Sequence, residues 1–161
     1  MTPLGCSRRV PTALERNDME FQRYFSRDEA SHALPLVRRI VADILQTGQD
    51  LRSYLQKISP QKGQLTPANP KSSSIKPVNF DTLFEDDPIA MQYRDTLLEY
   101  LKELESMGCF FKDWNFEIGL VDFPSIIDGE QVFLCWRSDE PTLAFFHRVT
   151  DGYSGRQPLP P

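Results

Sequence analysis

The chain has 161 residues, 40% of them hydrophobic and 11% aromatic, which fits one domain with an ordinary core and excludes a wholly disordered polymer. Its net charge is −5 and its Lys and Arg residues are scattered, so phosphate-backbone binding has no source of counterion release and nucleic acid is excluded as a partner. Cys6, Cys109 and Cys135 follow no paired spacing, no apolar run approaches the roughly 20 residues of a membrane span, and residues 1–18 lack an apolar signal core; the expectation is a cytoplasmic protein with reduced thiols and no membrane partner.

Residues 1–18 show neither helical nor strand periodicity and are expected to form a disordered tail, with the patterned sequence opening near Met19, itself a possible start. Arg8 and Arg9 make only a weak basic arm. Residues 19–161 then form a single α+β domain with a flexible insertion at about 59–84.

Ser26-Arg27-Asp28-Glu29 is a capping box, because the Ser26 hydroxyl can accept from the Glu29 amide while the Glu29 carboxylate returns to the Ser26 amide. Behind it Ala30, Leu34, Val37, Val41, Ile44, Gly48, Leu51, Leu55 and Ile58 recur in alternating steps of four and three, which predicts a helix to about Ile58 with an apolar seam broken at Gly48. Pro35 lies inside it and predicts a bend. Residues 59–84 carry prolines and serines without apolar period and read as a linker; a polyproline ligand segment is the functional alternative.

Asp87-Pro88 predicts the next helix start, with a seam at Ala90, Tyr93, Leu97, Tyr100, Leu104 and Met107 and a left-handed cap at Gly108. Two such seams suit a long antiparallel helical hairpin. The first arm is longer than the second, so its Leu51, Leu55 and Ile58 end is expected to lack a cover within the chain and to form a homodimer through the first helix.

After Gly108 the period becomes extended, with strands predicted at Cys109–Trp114, Ile118–Ile126, Gln131–Arg137 and Leu143–Val149, giving a three- to four-stranded antiparallel sheet under the helices. Asp128-Gly129 as a two-residue turn places Phe123 opposite Leu134, Asp122 opposite Cys135 and Val121 opposite Trp136. A four-residue turn at Ser138–Pro141 would set Trp136 opposite Leu143, Leu134 opposite Phe145 and Val132 opposite His147. One face then receives the helices; the other carries Asp122, Phe133, Cys135, Arg137, Ala144, Phe146 and Arg148, too apolar to be merely solvated.

The opening YFSRDEASHALPLV, then GLVDFP, the Asp-Gly turn, V-x-LCWR, E-P-x-x-x-F-x-H and G-x-x-GR-x-P-L occur in fixed order. In these motifs the chain resembles an uncharacterised bacterial family, domain of unknown function 2203, over residues 24–37 and 107–159. The resemblance implies a helical hairpin with a small sheet in a cytoplasmic bacterial setting, with no activity to carry over, and makes residues 59–84 an insertion peculiar to this chain.

No phosphate loop, cofactor motif or metal-ligand cluster is legible, so neither cofactor nor metal is expected. The ligand-binding candidates are Asp122, Arg137, His147 and Arg156. A carboxylate at Asp122 is costly to bury unpaired, and Arg137 lies diagonal to it on the same expected face, as a register-fixing ion pair or as an acid beside a cationic holder. His147 is expected on the opposite face from Asp122, which argues against their pairing and for a hydrogen-bonded histidine at the core edge; His32 is expected in solvent. Cys135 reads as a small buried hydrophobe, since a neighbouring Asp122 disfavours its thiolate. Asp151-Gly-Tyr-Ser-Gly-Arg156 is an ordinary turn or an anion-binding nest. The leading expectation is a small non-enzymatic binding or assembly module; the alternative is a small enzyme or a ligand- or metal-binding protein using Asp122, Arg137, His147 and Arg156.

Overall fold

The structure, a computed structural model, describes residues 20–58 and 87–161. The predicted tail at 1–18 and the linker at 59–84 lie outside the described residues.

Helix α1 spans Arg27–Ile58 and opens on the expected capping box: the Glu29 amide donates to Ser26 Oγ (3.2 Å) and the Ser26 amide to Glu29 Oε2 (2.8 Å). It continues through Pro35. Helix α2 spans Pro88–Met107, where the Asp87 carboxylate accepts from the Ile89 and Ala90 amides and Gly108, at φ 91°, closes the last turn with its amide on the Glu105 carbonyl. Tyr54 near the end of α1 donates to the carboxylate of Asp87 at the start of α2, while Gly108 after α2 sits beside Arg23 and Phe25 ahead of α1. The helices therefore run in opposite senses.

The seam of α1 is buried at every expected position from Ala30 to Leu55, with Ile40 added. Its gap is functional packing rather than a defect: a Cβ on Gly48 would lie 2.2 Å from Cγ of Phe116, so only glycine admits that ring. Phe116 is held there at φ 55° by Asp113, whose carboxylate accepts from the Asn115, Glu117 and Ile118 amides, and by Gln49, which donates to the Phe116 carbonyl.

The expectation that the distal seam lacks a cover is corrected. Leu51 and Leu55 are 0% and 1% exposed, and only Ile58 emerges, at 49%. Asp87 meets α1 at Tyr54, so α2 begins level with this end. Leu51 and Leu55, two of the three residues invoked for the homodimer, are core.

The sheet is antiparallel with five strands in sequence order: β1 Phe110–Phe111, β2 Leu120–Ile127, β3 Glu130–Arg137, β4 Phe145–Arg148 and β5 Gln157–Pro158. The expected Cys109–Trp114 strand is present only as the two-residue β1, and the predicted three to four strands fall short by β5, a two-residue pairing too short to leave a period. The Asp128-Gly129 turn, at φ 52° and 80°, produces the expected register, with Asp122 opposite Cys135 and Phe123 opposite Leu134.

The β3–β4 register differs by one residue. Val132 faces Arg148, Phe133 faces His147 and Leu134 faces Phe146, so every β4 side chain lies on the face opposite to that expected. The cause is tertiary. Arg38 of α1 donates to the Glu140 carbonyl (2.8 Å) and the Pro141 carbonyl (2.7 Å), and Trp136 Nε1 donates to the Glu140 carbonyl as well (3.1 Å). These bonds draw the connection toward α1, and the ladder restarts only at Phe145.

Val121, Phe123, Leu134 and Trp136 face the helices. The outer face is covered too: Phe21 packs on Phe133 and Phe110, Gln131 donates to Tyr24 Oη, Lys112 lies over Phe133, and the Arg156 guanidinium lies over Phe145.

Candidate functional site

The one-residue shift of β4 brings His147 to the face of Asp122, against the sequence expectation. Asp122 on β2 and Cys135 on β3 are cross-strand partners, and His147 on β4 is the partner of Phe133, two residues along β3 from Cys135. Side chains alternate along a strand, so all three project outward. His147 Nε2 lies 3.2 and 3.3 Å from the two Asp122 oxygens, and His147 Nδ1 is 2.8 Å from the Arg148 carbonyl, to which it can only donate. Both side chains are nearly inaccessible, at 4% and 5%. The Cys135 thiol completes the group, with Sγ, a carboxylate oxygen and a ring nitrogen all within 4.8 Å of one another.

Burial pushes the His147 imidazolium toward neutrality, but hydrogen bonding to Asp122, its charge and the Arg148 carbonyl outweigh it and hold the pKa above the usual histidine value; the Lys112 ammonium opposes them. Burial and then the Asp122 charge push the Cys135 thiol far above the ordinary cysteine range, with Arg156 only partly offsetting them. A free thiolate nucleophile therefore has no support here, in line with the sequence expectation. Cys109 is likewise held at about 12, chiefly by burial.

Arg137 does not pair with Asp122. Its Nε donates to Asp139 Oδ1 (2.9 Å), its Nη2 to Asp139 Oδ2 (2.5 Å) and its Nη1 to Tyr153 Oη (2.8 Å). Asp139 is two residues away in the chain and offers a bidentate match, whereas Asp122 already has His147. Arg156 is folded back on the sheet instead of lining a nest. Its Nη2 donates to Glu140 Oε2 (2.6 Å) and to the Cys135 carbonyl (3.1 Å), with Nε buried and without a partner. The turn before it is a short 3-10 segment, Tyr153–Gly155. His32 stays exposed, 2.7 Å from the Asp28 carbonyl.

Sequence reasoning missed Glu140 and Lys112. Glu140 accepts from Arg156 and from the Arg137 amide (2.9 Å), and Lys112 supplies a charge above the cluster. Their contacts with Arg156 and Phe133 are non-local and left no signal. An open cavity of about 460 Å³ lies elsewhere, between Tyr24, Ser26, Ile126 and Leu159, and none of the four candidate residues lines it.

A family model described as an uncharacterized conserved protein (DUF2203) matches residues 23–159, and the chain belongs to that family. No curated protein and no solved structure matches it. No helix among the described residues is long and apolar enough to cross a membrane.

Proposed function

We propose that the protein is a small binding module whose working part is the buried polar cluster on the outer sheet face. The observation that carries this is the convergence of Asp122, Cys135 and His147 from three adjacent strands, beside Phe133, on which Phe21 and Lys112 lie, and with Arg156 on the Cys135 carbonyl. A sheet face that only needed stability would be served as well by apolar residues, because a buried charged pair seldom outperforms them. Binding is favoured over turnover: the four candidates divide into separate contacts, Asp122 with His147, Arg137 with Asp139, and Arg156 with Glu140. In this proposal the two helices act as a hairpin scaffold, and a reducing cytoplasm suits Cys109 and Cys135, which are free and buried.

Native mass spectrometry of protein purified from its own host tests it. A retained mass that is lost in an Asp122→Asn variant melting like its parent supports the proposal. A bare chain, or a retained mass indifferent to Asp122, removes it.

A further inference from the structure

The geometry points to a transition-metal site of the zinc class, held by Asp122, Cys135 and His147. It rests on the outer-face cluster being the working part and names what that part holds.

The ring of His147 is prepared as a ligand. Its Nδ1–H is committed to the Arg148 carbonyl at 2.8 Å, the backbone contact that fixes ring orientation in metal-bound histidines and leaves Nε2 to the ion. Nε2 faces Asp122, but a charge-assisted N–H···O bond closes to about 2.7–2.9 Å, and here both oxygens stand off at 3.2 and 3.3 Å. Two ligand atoms each bonded at about 2.0 Å to a tetrahedral ion stand about 3.3 Å apart. The observed spacing, that of a forked hydrogen bond, is also that of co-ligands.

Cys135 adds sulfur within 4.8 Å of both, beside the separation of about 3.5 Å that a Zn–S bond of about 2.3 Å sets, so an ion would draw the thiol inward. One imidazole nitrogen, one thiolate and one carboxylate form a borderline-soft set suited to zinc, and three protein ligands leave a fourth position for water. A divalent ion displaces the proton on Sγ, and any proton on Nε2, to solvent, and its remaining charge faces the Asp122 carboxylate.

The test uses the full chain refolded under reducing conditions with cobalt(II), whose thiolate-to-metal charge-transfer band reports a Co–S bond. One equivalent should bind with that band and the visible spectrum of a tetrahedral ion. Cys135→Ser should lose the band, Cys6→Ser should keep it, and His147→Gln should weaken binding by at least about 100-fold, beyond what loss of a supporting contact costs. X-ray absorption of the unsubstituted protein, one sulfur with nitrogen and oxygen neighbours, decides the same point if Cys135→Ser does not fold. Absence of the band in the parent, or a band indifferent to Cys135, overturns the site. If native mass spectrometry then shows a non-metal ligand dependent on Asp122, the metal alone is wrong; a parent holding neither ends both proposals.

Discussion

His147 on β4 turns Nε2 toward both carboxylate oxygens of Asp122 on β2, reaching across the strand between them. Two buried groups so placed depend on each other, since removing either leaves the other without its partner in an apolar layer. Asp122→Ala or His147→Ala alone should therefore cost about 3–5 kcal/mol, and the double variant markedly less than their sum. Asp122→Ala and Arg137→Ala should add within about 0.5 kcal/mol, because Arg137 belongs to Asp139. Two double-mutant cycles by urea denaturation measure both; coupling to Arg137 and none to His147 would contradict the site.

Gly48 and Phe116 make a second coupled pair. In an exposed helix interior Gly→Ala gains about 1 kcal/mol, but a methyl at Gly48 would stand 2.2 Å from the Phe116 ring. Gly48→Ala should destabilise by about 1–3 kcal/mol. In a Phe116→Ala background the same substitution should stabilise, so a change of sign between backgrounds in thermal melts is the outcome to look for.

Leu51→Ala should lower stability by about 2–5 kcal/mol, because Leu51 is core and no docking stripe. A change confined to sedimentation behaviour, with the melt unaltered, would restore the distal seam as an interface.

Acid should weaken the start of α1. The Ser26 amide and then the Ser26 hydroxyl lower the Glu29 pKa against desolvation, and the Arg23 charge adds to the lowering. A depressed folded value means this stability is present above the unfolded glutamate pKa of about 4.3 and is lost as pH falls through the folded value. The melting temperature of Glu29→Gln relative to its parent should thus be lower at neutral pH, with the gap closing as the pH falls below the unfolded glutamate value. A gap that does not change with pH would mean the cap carries no linkage.

The parts legible in sequence were those set by local chemistry. Ser26 with Glu29, Asp87, Gly108 and the seams from Ala30 to Leu55 and from Ala90 to Leu104 need only neighbours within a few turns. Asp128-Gly129 fixed eight cross-strand pairs because a two-residue turn leaves no freedom of register. The β3–β4 connection had that freedom. Its register depends on Arg38, about a hundred residues earlier, and a slip of one residue was enough to separate His147 from Asp122 on paper. Asp122, Arg137, His147 and Arg156 pair differently from the expected grouping, for want of a signal for the contacts between distant elements.

The most direct measurement is metal content after exhaustive dialysis of protein refolded with zinc, read by elemental mass spectrometry beside the melting temperature. One zinc per chain should remain in the parent and raise its melting temperature, and both effects should be absent in Asp122→Asn and His147→Gln variants that still fold. A parent that dialyses free of zinc and melts alike with and without it would contradict the assignment.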